Sequence, residues 1–392
     1  MQDKIKHFIG QNKYLLLGML FLSLHLIYLA VESYQMDFRS GFVAIRAFLD
    51  GFNPLSNNVI YGLKYNDGNW PYNFSRYIYP PPSLFLYLPF GLIENYFNAK
   101  FLMGLFNVAS LSCFLLYLQK MHPIKNIFVY LIFLSIPVIT NVERGQIYVF
   151  IALLLILAYR YRDKFLSGAL VAFSFVLRLY PGLVLLYFLF RKQYKIFFSS
   201  VLFSFLFLFL GGTFFGFGTY PKFLRSLFLI NLPIKPILSQ NALNMIYSED
   251  FLQIPNTHLK YTFDHFTYLQ FNYVNFLKLF KISPILIAAI GVSLLLVFLF
   301  LIKKKEEKPI YYFVFLMMTP LVSIFTYTYA LVFYIPFAFY ALSQEKNSFW
   351  MIFLILLPLY WPVQLSFGGV YPAYLLALIV MATWFVLKRK TV

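Results

Sequence analysis

The sequence is poor in charge and nearly without cysteine. Only 12% of its 392 residues are charged and 61% are hydrophobic, which excludes an ordinary soluble protein. The single cysteine, Cys113, lies within an apolar run, which excludes a disulfide framework and a cysteine-based metal site. There is no Gly-rich phosphate loop, zinc motif or Ser-His-Asp order. No convincing ligand set for a metal is present, so no metal and no other cofactor is expected. Acidic residues are scarce, 14 against 32 basic, giving a net charge of +18. In a soluble domain that excess would suggest nucleic acid. Here many of the basic residues sit in short loops between apolar runs, so membrane topology explains much of it and no nucleic-acid partner is expected. Internal repeats and low-complexity tails are also lacking.

What the chain has in quantity is apolar length. Runs recur from Tyr14 to Leu387, several near the ~20 residues needed to cross hydrocarbon. The first, Tyr14 to Val31, is followed by Glu-Ser-Tyr-Gln-Met and not by a small-x-small cleavage site, so it is read as a retained helix. Aromatic residues make up 22% of the chain. Phe, Tyr, Lys, Asn and Ile are enriched together, which points to compositional bias more than to sugar-stacking platforms.

Charge then orients the chain. Basic loops face the cytoplasm, and the clusters are the N-terminus, Lys120–Lys125, Arg160–Lys164, Arg191–Lys195, Lys303–Lys308, Gln344–Lys346 and Lys388–Lys390. Runs 126–160, 165–190, 195–302, 309–342 and 348–387 become out-and-back pairs, turning near Asn141–Gln146 in the first and Gln364–Gly369 in the last. Between Val31 and Lys120 parity allows one crossing. The run 83–93, next to Pro80, Pro81 and Pro82 and containing Pro89, is therefore read as re-entrant or interfacial. The expectation is an all-α integral membrane protein, one polytopic domain over 1–392 with about twelve crossings and both termini cytoplasmic. Two large loops, 32–80 and 216–282, then lie outside a cell (inner or plasma) membrane. Phe42, Ile45, Phe48 and Leu49 form a helical stripe that predicts an interfacial helix over Phe38–Leu49. Pro221–Leu229 reads similarly.

The polar interruptions converge on that outer face. Asp37 follows the first helix, Glu143-Arg144-Gly145-Gln146 forms an outer turn, and Arg178-Leu179-Tyr180-Pro181 breaks the run 165–190. Tyr77-Ile78-Tyr79-Pro80-Pro81-Pro82 opens the re-entrant element. An arginine beside a broken helix can bind phosphate bidentately, and a nearby carboxylate can deprotonate a hydroxyl. The set suits transfer from a lipid-linked phosphosugar. On spacing alone it equally suits a solvated loop aspartate and arginines that snorkel to headgroups, so the residues by themselves stop at a membrane protein with an external polar site.

The segment Asp37-Phe-Arg-Ser-Gly-Phe-Val-Ala-Ile-Arg-Ala-Phe-Leu-Asp-Gly-Phe-Asn-Pro-Leu, with Tyr77-Ile-Tyr-Pro-Pro-Pro after it, resembles the first external loop of polyprenol-phosphate-mannose-dependent mannosyltransferases, glycosyltransferase family 87. Gly145-Gln146-Ile147-Tyr148 resembles that family's Gly-Gln turn. Leu177-Arg178-Leu179-Tyr180-Pro181, with Arg191-Lys192-Gln193-Tyr194-Lys195, resembles its basic-x-x-Pro break and basic loop. The likeness covers about the first half of the chain. The family usually has Lys where Arg178 stands. Its Asn-Gln-Ser-like motif is only echoed by Ser239-Gln240-Asn241-Ala242-Leu243, and its Trp/His-containing outer turn is Phe325-Thr326-Tyr327-Thr328-Tyr329 here, without His.

The resemblance implies a GT-C-like multi-pass helical bundle with external juxtamembrane helices. It implies an inverting transfer of mannose from a polyprenyl-phosphate donor, itself a substrate, to a glycolipid or glycan acceptor. Asp37 would be the catalytic base, with Asp50 and Asp67 the runners-up. Arg178, Arg144 and Gln146 would hold the phosphate, with Tyr79 and Tyr180 beside the substrate. Membrane lipid is the surrounding partner. A flippase or transporter for a lipid-linked saccharide is the alternative from another class, and an O-antigen-type polymerase shares much of the pattern.

Overall fold

The computed structural model of the 392-residue chain describes residues 13–33, 35–55, 77, 79–229, 284–303, 305–322, 328–344, 348–360 and 377–384. Asp67, most of loop 216–282 with Ser239–Leu243, Phe325–Tyr327 and the turn at Gln364–Gly369 lie outside the described residues. The described residues form helices and turns, with no strand among them.

Among the described residues three helices are long and apolar enough to cross a membrane: α1 (Lys13–Glu32), α4 (Tyr96–Met121) and α10 (Tyr194–Phe215). At 1.5 Å rise per residue each is about 30 Å long or more, the thickness of a hydrocarbon core. Between α1 and α4 lie α2 (Met36–Leu49) and α3 (Leu84–Gly91), the latter entered through a 3-10 turn at Pro81–Ser83. After α4 come α5 (Asn126–Phe133) and α6 (Ile136–Glu143), bent by 43° at Leu134–Ser135. The bend has a local cause: Pro137 stands in the first turn of α6, where its missing N–H is tolerated and a new helix can start. The chain continues with α7 (Tyr148–Arg160), α8 (Ser167–Leu177), a 3-10 turn at Tyr180–Leu183 and α9 (Val184–Phe190) before α10. Beyond α10 are α11 (Thr219–Leu229), α12 (Pro284–Ile302), α13 (Pro309–Met318), α14 (Ile335–Leu342) and α15 (Phe349–Tyr360), with 3-10 turns at Thr319–Val322 and Thr328–Tyr334. Residues 377–384 are also helical.

The long helices are apolar all round, as a bilayer requires. In α1, Leu15, Met19, Ser23, Leu26 and Ala30 form the buried stripe, while Leu17, Leu20, Phe21, Leu24 and Tyr28 face outward. Lipid tails are as apolar as leucine, so close approach of small residues holds such helices together. A Cβ on Gly104 would lie 2.7 Å from that of Ala30, and one on Gly168 only 2.6 Å from the Ser200 backbone nitrogen. These contacts dock α4 on α1 and α8 on α10.

The run 83–93 appears as an eight-residue helix, α3, about 12 Å long and too short to cross ~30 Å of hydrocarbon. It packs against α2: Arg46 Nη1 donates to Gly91 O at 3.1 Å. This changes the reading of α2. Its stripe predicted a helix with one face covered, yet Asp37, Arg39 and Ser40 are as buried as Phe38, Phe42 and Ile45. α3 packs on the side of Phe38, Gly41 and Ile45, while the turn after α6 closes over Asp37. Only the C-terminal end emerges, where Gly51 takes φ +82° and the backbone N–H of Asp50 caps back to Arg46 O. Asp50 is thus part of the helix stop.

At the opposite end of the bundle Glu307 gathers three basic loops. Gln193 Nε2 donates to Glu307 Oε2 at 2.6 Å, with Arg162 at 3.6 Å and Arg191 at 3.9 Å. Arg191 Nη1 also donates to Ile302 O and Lys305 O at 2.9 Å, closing the end of α12. Loops 160–167, 190–194 and 303–308 therefore meet at the end of α7 remote from Tyr148.

Candidate active site

The site forms where three chain breaks meet: the start of α2, the α6–α7 turn, and the α8–α9 break. Each has a local reason. Gln35, with φ +44°, ends α1 and turns the chain into α2. Its side-chain Nε2 donates to Ala30 O at 2.9 Å, a carbonyl that the end of α1 leaves open, and to Lys100 O of α4 at 3.2 Å. Lys100 Nζ donates to Ser33 O at 3.0 Å from the second turn of α4. The α8–α9 break is set by Pro181: α8 ends at Leu177, Arg178 is extended, and the chain resumes as a 3-10 turn.

The α6–α7 turn then locks onto α2. Asp37 N–H and Phe38 N–H both donate to Arg144 O, at 3.1 and 3.3 Å, so one carbonyl from a segment over a hundred residues away caps the start of α2. Gly145 has φ +63°, and Phe38 Cβ occupies the place where its own side chain would be, at 2.4 Å. Only glycine allows both the backbone turn and this approach.

Two charged arms result. In the first, Arg144 Nε donates to Asp37 Oδ2 at 2.5 Å, and the pair is mostly buried. The Asp37 carboxylate also stands in the first turn of α2, where the helix dipole favours negative charge. In the second, Arg178 Nη2 donates to Gln146 Oε1. The Arg178 guanidinium lies 3.5 Å from the centre of the Tyr79 ring and 5.0 Å from that of Tyr148. Such a sandwich suits a planar guanidinium and would not hold an ammonium in the same way. Tyr148 stacks in turn on Tyr180, with ring centres 6.0 Å apart, and meets Tyr329 at 4.8 Å. Arg144 lies 5.9 Å from the Tyr329 ring, which links the arms.

The second arm is incompletely satisfied. Arg178 is 9% exposed and Gln146 1%, yet Arg178 Nε and Gln146 Nε2 have no hydrogen-bond partner among the described residues. Unpaired buried donors are costly and mark a place for an acceptor. Burial raises the hydroxyl of Tyr79 well above its ordinary pKa, while the adjacent Arg178 pulls the other way. Tyr79 thus stays protonated. Tyr77, raised by the same desolvation, shares a hydrogen bond with Ser83 that pins the start of the 81–91 element.

Every expected site residue among Asp37, Arg144, Gln146, Arg178, Tyr79 and Tyr180 therefore belongs to one connected cluster. Within it Arg144 is engaged by Asp37, and Arg178 with Gln146 is the pair with open donors. Sequence reasoning missed Asn141, Tyr148 and Tyr329. Tyr148 sat within the Gly-Gln turn, and a tyrosine in a chain this rich in aromatics carries no signal of its own. No group of three or more metal-ligating side chains occurs among the described residues.

Comparison with protein families finds a match over residues 77–323, well over half of the chain, to the model of glycosyltransferase family 87. No curated protein and no solved structure matches.

Proposed function

Because the chain belongs to glycosyltransferase family 87, we propose that it transfers a sugar, mannose first among candidates, from a polyprenyl-phosphate donor to a lipid-linked or cell-envelope acceptor with inversion. The observation that carries this reading is the buried Arg178–Gln146 pair with two N–H donors left open, which suits a phosphate oxygen at the membrane boundary.

In the proposed step the acceptor hydroxyl oxygen attacks the anomeric carbon and passes its proton to the Asp37 carboxylate. The bond from anomeric carbon to phosphate oxygen breaks on the opposite side. Its electron pair leaves with the phosphate, and polyprenyl phosphate is the second product. No covalent sugar–enzyme intermediate forms, and one base suffices because the leaving group departs ionised. Arg178 and Gln146 hold that group. Arg144, expected from sequence to share the phosphate, is assigned instead to orient Asp37, on the strength of their 2.5 Å contact. Asp37 lies upstream of the family match, so its role rests on the geometry.

Electrostatics favour the products of this step. The donor phosphodiester carries one negative charge and the departing monoester gains more. A site with two arginines beside one carboxylate stabilises charge that grows in the transition state.

The topology proposal is about twelve crossings with the site facing away from the cytoplasm. It is supported by the meeting of three basic loops around Glu307, at the far end of α7 from the site. The deciding experiment is transfer of radiolabelled mannose from polyprenyl-phosphate mannose into a lipid extract by membranes carrying wild type or Asp37→Asn. Label is expected with wild type alone. Transfer by both proteins would move the base elsewhere, and transfer by neither with any polyprenyl-phosphate sugar would overturn the reaction.

A further inference from the structure

We infer that Asn141 is a positioning residue that sets both arms of the site at once. This rests on the reading of that site given above. Asn141, in the last turn of α6, is fully buried, contacts none of the charged groups Asp37, Arg144 and Arg178 by hydrogen bond, and binds the backbone that carries the second arm. Its side-chain Nδ2 donates to Gln146 O at 3.1 Å, and its Oδ1 accepts from Tyr148 N–H at 3.1 Å. Its backbone carbonyl accepts from Gln146 N–H at 2.8 Å. One residue therefore makes three hydrogen bonds across the turn that carries Arg144, Gly145, Gln146 and Tyr148.

The placement has consequences in two directions. Tyr148 N–H is one of the open donors at the start of α7, and the N-cap position, Ile147, offers that helix end no side-chain acceptor. Asn141 supplies that acceptor from the preceding helix. Fixing the Gln146 carbonyl and the Tyr148 N–H leaves the Gln146 side chain directed at Arg178 and the Tyr148 ring against the guanidinium. In the other direction the same closed turn presents Arg144 O to the N–H groups of Asp37 and Phe38. The donor arm and the base arm are thus referred to one buried amide. Both its functions are needed: aspartate at this position would keep the acceptor and lose the donor to Gln146 O.

The test uses the full-length protein in detergent, with Asn141→Ala and Asn141→Asp. Two quantities are read, hydrogen exchange of peptides covering 36–40 and 144–150, and the dissociation constant for polyprenyl phosphate. For N141A, exchange is expected to rise about tenfold in both peptides and affinity to fall about tenfold. For N141D, Tyr148 stays protected while affinity still falls. A rise confined to 144–150, with peptide 36–40 and affinity unchanged, would overturn the inference and leave a local brace. Wild type that does not bind polyprenyl phosphate would strike the proposed function instead, and exchange in 36–40 alone would then decide the role of Asn141. If N141A does not accumulate folded, N141D, with the same size, carries the decision: affinity equal to wild type overturns it.

Discussion

Substituting alanine for Gly145 should uncouple the base arm at a calculable displacement. The added Cβ would meet Phe38 Cβ at 2.4 Å and Gln35 Oε1 at 2.8 Å. Carbon atoms settle near 3.5 Å, so Phe38 must recede by about 1 Å. Phe38 and Asp37 share the first turn of α2, and their N–H groups bind the same Arg144 carbonyl. The movement is therefore delivered to the Asp37 carboxylate, and a misplacement of that size costs on the order of 100-fold in rate. The left-handed backbone adds about 1 kcal/mol or more of strain for any residue with a Cβ. Gly51 separates the two effects, because it has φ +82° but nothing within 4 Å of its missing Cβ. Gly51→Ala should lose a little stability and keep wild-type transfer. Gly145→Ala should lose more stability and about 100-fold in transfer. The assay is initial-rate mannose transfer in membranes, normalised to folded protein, alongside the thermal midpoint of each purified variant. Equal transfer by the two variants would refute the coupling of the α6–α7 turn to Asp37.

Arg178→Lys keeps the charge but loses the Tyr79–Tyr148 sandwich, so the donor KM should rise about tenfold, and Arg178→Ala should raise it further; equal donor affinity in all three proteins would remove Arg178 from the phosphate site. Burial pushes the His122 imidazole down to about 4, so its neutral form supports folding fully above pH ~6.5, and that support is lost as pH falls toward ~4. Wild-type stability should accordingly fall across that window by roughly 1–2 kcal/mol, after discounting the half-buried ring for solvent screening, read as a lower thermal midpoint, and the fall should shrink in His122→Phe. Asn107 is fully buried with neither side-chain atom partnered among the described residues. Asn107→Leu should raise the thermal midpoint by a few degrees, about 1–2 kcal/mol, and a fall would show that the amide has a polar partner.

The polar landmarks were legible because they are rare. In a chain with 14 acidic residues, Asp37 beyond a first helix and arginines at helix breaks stand out, and the positive-inside pattern was enough to place them at one end. The short run 83–93 and the break at Arg178–Pro181 followed from proline. What could not be read was pairing. Nothing in a sequence says that Arg144 turns to Asp37 while Arg178 turns to Gln146, since both arginines fit the phosphate equally well by type. The burial of α2 was misjudged for a related reason. A stripe of Phe42, Ile45 and Phe48 reports one covered face, but Asp37, Arg39 and Ser40 on the other are covered by partners distant in sequence. Asn141 was read only as the start of a turn because asparagine near a helix end usually serves its own helix, whereas here it serves the next.

The placement of buried charge also separates transfer from transport. A carrier for a lipid-linked saccharide needs polar groups distributed along a path through the bundle. The charged residues buried among those described are Asp37, Arg39, Lys100 and Arg178. Lys100 binds Ser33 O at the α1–α2 junction, Asp37 and Arg39 lie in the first turn of α2, and Arg178 sits at the α8–α9 break. All four belong to the end of the bundle that carries the site. Between that end and the Glu307 cluster, α7 contributes Ile151, Ala152, Leu155, Ile156 and Ala158 to the core, all fully buried. Moving an anionic headgroup past those residues would require desolvating its charge against aliphatic side chains. A reaction that begins and ends at one face needs no such passage. Among the described residues the charges buried as whole residues gather at that end, one arm paired and the other holding open donors, which fits the proposed transfer at one face.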